Sequence, residues 1–443
     1  MPTAVGALAA EASAAAVAME RSPQQQQLQR TSGVGVPLPH AIEPIYLDYN
    51  ATTPVFPEAA EAMRPFLLEG FGNPSSGHAY GRRTAAAVAA ARASVAALVG
   101  AAGPDEVHFC GCGTEADAWA IEGAVFAARR RGAARPHVVT SAIEHPAVLA
   151  TLAALEERGL ACYTAVPVSA EGLVDPRTVA AAVRPGETVL VTVGSIQPIA
   201  EIAEVARAAG ALMHTDAAQS IGKARGAGAG LLAQTLWVEV DVGRLGVDAL
   251  TIVGHKFGAP KGMAALYIRR GVQLDSLLFG GGQEHGRRAG TESVLLIAGL
   301  GAAAEAAQRE LPALASHMRA TRAALAAALL SGLPPGAARV NGPADGARRL
   351  PNTLSVSLRG VDAGALLAGL GDRVAASAAA ACHSAAGGAA SHVLRAMGAA
   401  DDADYARGAL RLSTGRHTTA EEAARAAALI RAAAAEQNAE FAL

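Results

Sequence analysis

The sequence predicts an α/β fold: a mainly parallel sheet flanked by helices, followed by a smaller α+β domain. Three observations carry that expectation. Short branched and apolar runs at 107–110, 138–140, 189–193, 212–215, 249–253 and 264–268 recur between alanine-rich stretches with helical spacing. Strand and helix in alternation call for crossover connections, which a parallel sheet with helices on both faces supplies. Polar motifs stand at the carboxyl ends of several of these runs, the edge where ligands bind in such sheets.

The 443-residue chain is long enough for two or three domains. Hydrophobic residues make up 51% and charged residues 17%, yet many of the apolar residues are alanine, which favours helix more than it fills a core. The formal net charge of −2 and the lack of a basic cluster interleaved with aromatics exclude nucleic acid as an expected partner. No run of about 18 strongly apolar residues suggests a membrane span. Four cysteines, Cys110, Cys112, Cys162 and Cys382, are too few for a disulfide framework and suit a reducing compartment. Cys110 and Cys112 have no second pair nearby, so no metal site is expected.

Residues 1–40, alanine-rich and then rich in Gln, Ser, Gly and Pro, read as a disordered leader. Glu11 and Glu20 speak against a mitochondrial transit peptide, and no basic start precedes an apolar run. A cytoplasmic location is expected, with a mitochondrial or plastid address as the alternative. Order begins with the strand and turn of 45–54, followed by a helix over 57–69 and a Gly/Pro/Ser loop at 72–78. A helix over 81–98, the strand 107–110 and a helix over 116–129 come next. Beyond 303, alanine and leucine helices surround strands at 353–357 and 409–413. The expected division is a large domain of 41–302, whose first residues pack on the small domain, and a small domain of 303–443 carrying Cys382.

Lys256 follows the apolar run 249–253 and precedes a Gly/Pro turn. At such a strand end a lysine is partly desolvated, which lowers its pKa and makes it competent to form a Schiff base with an aldehyde cofactor. An ordinary solvated lysine is the competing account. Upstream, Asp216 at the end of 212–215 supplies the acid that pyridoxal phosphate needs at its ring nitrogen. Gly111, Cys112, Gly113 and Thr114 form a glycine turn opening a helix, which is either a phosphate cradle or a plain N-cap. His145, after 138–140, could stack on a ring and relay protons or be a surface histidine. The loop 280–292 holds Arg287, Arg288 and Thr291 among glycines and suits an anion. Cys382, beside His383, is either a reactive thiol or inert packing. Arg411 or Arg416 could clamp a carboxylate or be surface residues.

Taken together, Tyr46 to Pro54, Gly72 to Ser76, Gly113-Thr114-Glu115, Glu144-His145, His214 and Asp216 with Gln219, Gly254-His255-Lys256, the loop from Gly281 to Thr291, and Leu410 to Arg416 resemble the class V aminotransferase-type family of cysteine desulfurases and selenocysteine lyases. The resemblance runs from about residue 45 to 430 and implies a fold-type I pyridoxal phosphate enzyme. It implies that Lys256 holds the cofactor and later moves the Cα proton, that Asp216 pairs with the ring nitrogen, that Gln219 bonds the ring oxygen and that His145 stacks on the ring. Thr114 and His255 would bind the phosphate, with Thr291 reaching across from the other subunit of a homodimer. Arg411 would hold the substrate carboxylate, and Cys382 would act near the departing selenium or sulfur. Selenocysteine or cysteine would be the substrate, with an acceptor protein for the released atom.

Ala381-Cys382-His383-Ser384 and residues 251–257 look more like selenocysteine lyase, so that activity is the expected one and cysteine desulfurase the alternative. Two departures stand out. The family's Asn-Asn-Glu-type segment after Thr192 is missing, Val193-Gly194-Ser195-Ile196 joining directly to Gln197, and residues 226–237 look inserted. One or both are what altered splicing or a mistaken gene model would leave. Loss of a polar contact to cofactor and substrate makes an inactive scaffold the third reading.

Overall fold

The computed structural model describes residues 44–194, 197–223, 240–378, 391–399 and 402–441. Ser195, Ile196, the apparent insertion at 226–237 and Cys382 lie outside the described residues.

The first ordered segment, β1 (Ile45–Tyr46), leads into α1 (Pro57–Met63). The expected single helix over 57–69 is broken instead, because Pro65 cannot donate to the preceding turn and starts a second short helix, Pro65–Leu68. α2 (Ala79–Val99) begins where His78 Nδ1 accepts from Gly81 N at 3.3 Å and stops at Gly100, whose φ of 68° is the left-handed conformation a glycine adopts without strain. Then come β2 (Val107–Cys110), α3 (Gly113–Arg130), β3 (His137–Ser141), α4 (Pro146–Glu157), β4 (Cys162–Val166), β5 (Thr188–Thr192), α5 (Ile199–Ala208) and β6 (Leu212–Asp216). The large sheet is completed by β7 (Ala249–Val253) and β8 (Ala264–Ile268), in the order β2-β8-β7-β6-β5-β3-β4. Strands β4, β3, β5, β6 and β7 run parallel, and β8 is antiparallel to both of its neighbours. Every residue of β2, β3, β7 and β8 is buried, which is why those strands lack the alternation of a half-exposed strand and are mainly apolar or small, His108 and His137 being the buried exceptions. The expected α/β class holds. β4 is an addition to it.

α6 (Val294–Leu330) is a 37-residue helix that begins before the expected boundary at 303 and runs across it. Val294, Ile297, Leu300, Ala303 and Ala307 pack into the core beneath the large sheet, while Leu325, Ala326 and Leu329 belong to a second core. A four-stranded sheet covers that second core, with β9 (Ala338–Val340), β10 (Thr353–Leu358), β12 (Ser377–Ala378) and β13 (Ala409–Ser413) in the order β12-β13-β10-β9, β11 (Val374–Ala375) standing apart. α7 (Ala420–Ala435) closes it, started by a capping box in which Thr419 and Glu422 bond each other's backbone N–H. The N-terminal β1 pairs in parallel with β11, Leu47 is fully buried in the second core, and Asp48 bridges to Ser413. The division into two domains stands as a proposal, with α6 as the strut common to both. No described helix is long and apolar enough to cross a membrane.

Candidate active site

The carboxyl ends of β3, β6 and β7 and the N-terminus of α3 meet at a cavity of about 450 Å³. Thr114, His145, Asp216, Gln219, His255 and Lys256 all line it, as do Cys112, Asp117 and Glu144. Six of the side chains singled out from the sequence are thus brought together.

Lys256 ends a single 3-10 turn, Gly254–Lys256, directly after β7. The turn is tight: a Cβ on Gly254 would lie 2.9 Å from Ala259 Cβ and 3.0 Å from Met263 O. Lys256 Nζ donates to the main-chain oxygens of Asn50 at 2.7 Å and Ala51 at 2.8 Å. Next to it, His255 Nδ1 lies 3.0 Å from Thr52 Oγ1, and burial, with Lys256, Lys261 and Lys223, holds its pKa down at about 4. The ring is therefore neutral near pH 7 and offers one N–H.

At the end of β6, Asp216 Oδ1 accepts from Ala218 N at 2.9 Å. Burial raises the pKa of Asp216, opposed by that hydrogen bond and by His145 and Lys256. A second carboxyl, Asp117, is pushed well up by burial and then by Asp216. Asp117 Oδ1 is buried without a hydrogen-bond partner and stands 3.9 Å from His214 Nε2. His214, with burial lowering its pKa to about 3, bonds Thr192 Oγ1 at 2.8 Å and Thr251 Oγ1 at 3.0 Å, tying β5, β6 and β7 behind the site.

His145 caps α4, its Nδ1 accepting from Ala147 N at 3.1 Å. Glu144, just before it, is buried and accepts at Oε1 from Ser141 Oγ and from Gly194 N at 3.1 Å, which fastens the shortened end of β5 to the end of β3. Gln219 donates from Nε2 to Asn50 O at 3.0 Å.

The helix opening also depends on glycine. A Cβ on Gly113 would meet Val253 Cγ2 at 2.5 Å, so only glycine lets the first turn of α3 lie against the end of β7. Thr114 and the N–H groups of that turn then face the cavity as anion donors. Glu115 accepts from Gly111 N at 2.8 Å and pairs with Arg288 Nε at 2.8 Å, so this arginine of the glycine loop braces the opening. Thr291 lines a separate cavity of about 170 Å³ with Gly111 and Arg288, and this chain does not bring it into the main cavity.

Arg411 projects from β13, its Nη2 donating to Asp48 Oδ1 at 2.9 Å and Ser377 Oγ at 3.1 Å, and it does not line the cavity. Arg416 is paired with Glu58 and Glu310 and lies 4.3 Å over the Phe56 ring, a packing role. Among the described residues no cluster could hold a metal ion.

The donor set fits pyridoxal phosphate. It offers an amine at Lys256, a buried carboxyl at Asp216 for a ring N–H, an imidazole at His145, and a helix opening whose close packing a single Cβ would prevent. Sequence reasoning missed Asp117 and Glu144, which line the cavity, and Asn50, whose main-chain oxygen receives Lys256 Nζ. Asn50 and Glu144 stood inside the recognised motifs, whereas Asp117 carried no signal beyond a charge in an alanine-rich stretch.

The family model described as aminotransferase class-V matches residues 45–425. The cysteine desulfurase IscS of Clostridium botulinum is 38% identical over 386 residues, covering 85% of this chain and 91% of that one. A solved NifS-like protein superposes with a TM-score of 0.75 at 32% identity, over 88% of this chain and 98% of its own. A structure described as SspA in complex with cysteine superposes with a TM-score of 0.70 at 31% identity, over 84% and 99%.

Proposed function

Since the chain belongs to the class-V aminotransferase family, we propose that it works as a cysteine desulfurase, releasing alanine from cysteine and keeping the sulfur as a persulfide on Cys382. That it is a pyridoxal-phosphate-dependent lyase follows from the family and its relatives. The narrower reading is supported by the desulfurase relative and by the SspA structure with cysteine. The observation that carries it is Lys256 and Asp216 lining one cavity with the anion-binding opening of α3.

When bound there, the cofactor withdraws electron density from the substrate Cα, so that its proton and then the Cβ–S bond can be lost. In this reading Lys256 Nζ anchors the cofactor and afterwards carries the Cα proton, within reach of the Asn50 and Ala51 carbonyls. Asp216 would keep the proton on the ring nitrogen, Gln219 would donate to the ring oxygen and His145 would hold the ring from the side of the cavity it lines. Thr114 and the neutral His255 donate to the phosphate, joined by Thr291 from the second subunit of a homodimer. Arg411 holds the substrate carboxylate through Nη1, since Asp48 and Ser377 both take Nη2. The Cys382 thiolate attacks the substrate sulfur: an S–S bond forms, the Cβ–S bond breaks, and the electron pair left on carbon takes up a proton to give alanine. The persulfide then passes to an acceptor protein. A cytoplasmic location belongs to the same proposal.

The second reading, selenocysteine lyase, is favoured by the Ala381-Cys382-His383-Ser384 loop. Alanine release measured with each amino acid decides between them. Turnover of cysteine with persulfide on Cys382, lost in Cys382→Ser while the cofactor stays bound, supports the desulfurase; turnover of selenocysteine alone supports the lyase. A folded chain that binds no cofactor overturns both and leaves the scaffold.

A further inference from the structure

Lys223 ends the turn that follows β6 and is only 4% exposed. It does not line the cofactor cavity. It borders a void of about 30 Å³ behind it, shared with Lys256, Tyr49, Arg416 and His417. Lys223 Nζ donates to Gln219 Oε1 at 2.9 Å and to Asn50 Oδ1 at 3.0 Å.

These bonds settle which way two amides face. An ammonium has only donors, so the atom turned toward it must be the carboxamide oxygen. With Gln219 Oε1 so committed, Nε2 spends one hydrogen on Asn50 O at 3.0 Å and has its second for the cavity that Gln219 lines. Asn50 is fixed likewise. Its Oδ1 takes Lys223 and Asn352 Nδ2, its Nδ2 donates to Thr353 Oγ1 at 2.7 Å, and its main-chain oxygen takes Lys256 Nζ.

We propose that Lys223 is a positioning residue of the cofactor site, locking the Gln219 carboxamide so that it presents an N–H to the cofactor, and tethering the side chain of Asn50, the residue whose main-chain oxygen receives the Lys256 amine. The inference rests on the reading of Lys256 as the cofactor's anchor. Burial, then Lys256 and Arg411, lowers the pKa of Lys223 to about 7, so the lock is firmest below that pH, where Lys223 Nζ is an ammonium with donors only.

The test uses the full chain loaded with pyridoxal phosphate. Visible absorption of the bound cofactor is titrated from pH 5 to 10, and cofactor Kd is measured, for wild type, Lys223→Met, Gln219→Leu, the double variant and Lys256→Ala. Removing a nearby cation and an N–H to the ring oxygen both favour the protonated form. Lys223→Met is therefore expected to keep the band, raise its titration midpoint by about one pH unit and weaken cofactor binding roughly tenfold. In the Gln219→Leu background the same substitution should give a clearly smaller shift: the part carried through that amide is gone, and only the loss of the cation's field remains. Lys223→Gln, a smaller change that retains one donor, should give a partial shift and serves where the methionine variant does not fold. An unmoved midpoint, or an equal shift without Gln219, overturns the proposal and leaves Lys223 as packing. A band that survives Lys256→Ala overturns the anchor reading itself, and no band in wild type overturns both.

Discussion

Glu144→Gln is expected to stabilise the apoprotein above neutrality and to remove part of its pH dependence. Burial raises the Glu144 pKa from its ordinary 4.5 to about 7, although Ser141 and Gly194 donate to it, with Asp216 adding to the rise. A folded-state pKa above the unfolded value means that the folded chain holds a proton the unfolded chain has released. The corresponding stability is complete below about pH 4.5 and is lost as pH rises through about 7. The gap corresponds to about 3 kcal/mol at 1.36 kcal/mol per pKa unit. Glutamine cannot ionise and can still accept from Gly194. Urea denaturation of both apoproteins from pH 4 to 9 gives a difference curve, wild type minus variant. It should fall by roughly 3 kcal/mol between pH 4.5 and 8 and then level off. Lys223, whose lowered pKa destabilises the fold at low pH and does so less as pH climbs beyond about 7, is present in both proteins and cancels. A flat difference curve would refute the reasoning, because it would mean that the Glu144 carboxyl meets water in the folded chain.

Lys256→Ala should lose both turnover and the visible band of bound pyridoxal phosphate while remaining folded by circular dichroism. Gly113→Ala drives a methyl against Val253 and should cost about 1–3 kcal/mol in urea denaturation, with weaker cofactor binding by fluorescence titration. Arg411→Lys keeps the charge but not the fork geometry, so KM for cysteine should rise about tenfold with a smaller change in kcat in steady-state assays. Arg92→Met strands the buried Glu284, which pairs with Arg92 at 2.5 Å and also accepts from Phe109 N at 2.8 Å. That loss should lower unfolding stability by about 3–5 kcal/mol.

The sheet centre and the Lys256 turn were legible because burial on both faces leaves an apolar run, and a strand end marks itself with glycine. β4 was not. It is an edge strand with Cys162, Tyr163 and Thr164 half-buried and Ala165 exposed, so it shows neither clean alternation nor an apolar run. Arg411 and Arg416 looked alike in sequence, and what tells them apart is that Arg416 is held by two carboxylates and the Phe56 ring, whereas Arg411 has the single carboxylate of Asp48 and is less buried. Lys223 follows a glycine and reads as surface, since its partner Asn50 and the Tyr49 and Arg416 that share its void are all remote in sequence. Those contacts are tertiary, and no local pattern encodes them.

The pairing of β1 with β11 sets an order of events during synthesis. Ile45 finds Val374 only after more than three hundred further residues have been made. At 5–20 residues per second the wait is roughly 16–66 s, with Ile45 and Leu47 lacking their core meanwhile. Asn50 and Ala51, which receive the Lys256 amine, sit on that same segment. The large sheet and its cavity, lined by residues between Cys112 and Lys256, can therefore assemble before the segment that receives the amine gains its last support, Thr53 and Phe56 tying that segment to His255 and Gly258 in the meantime.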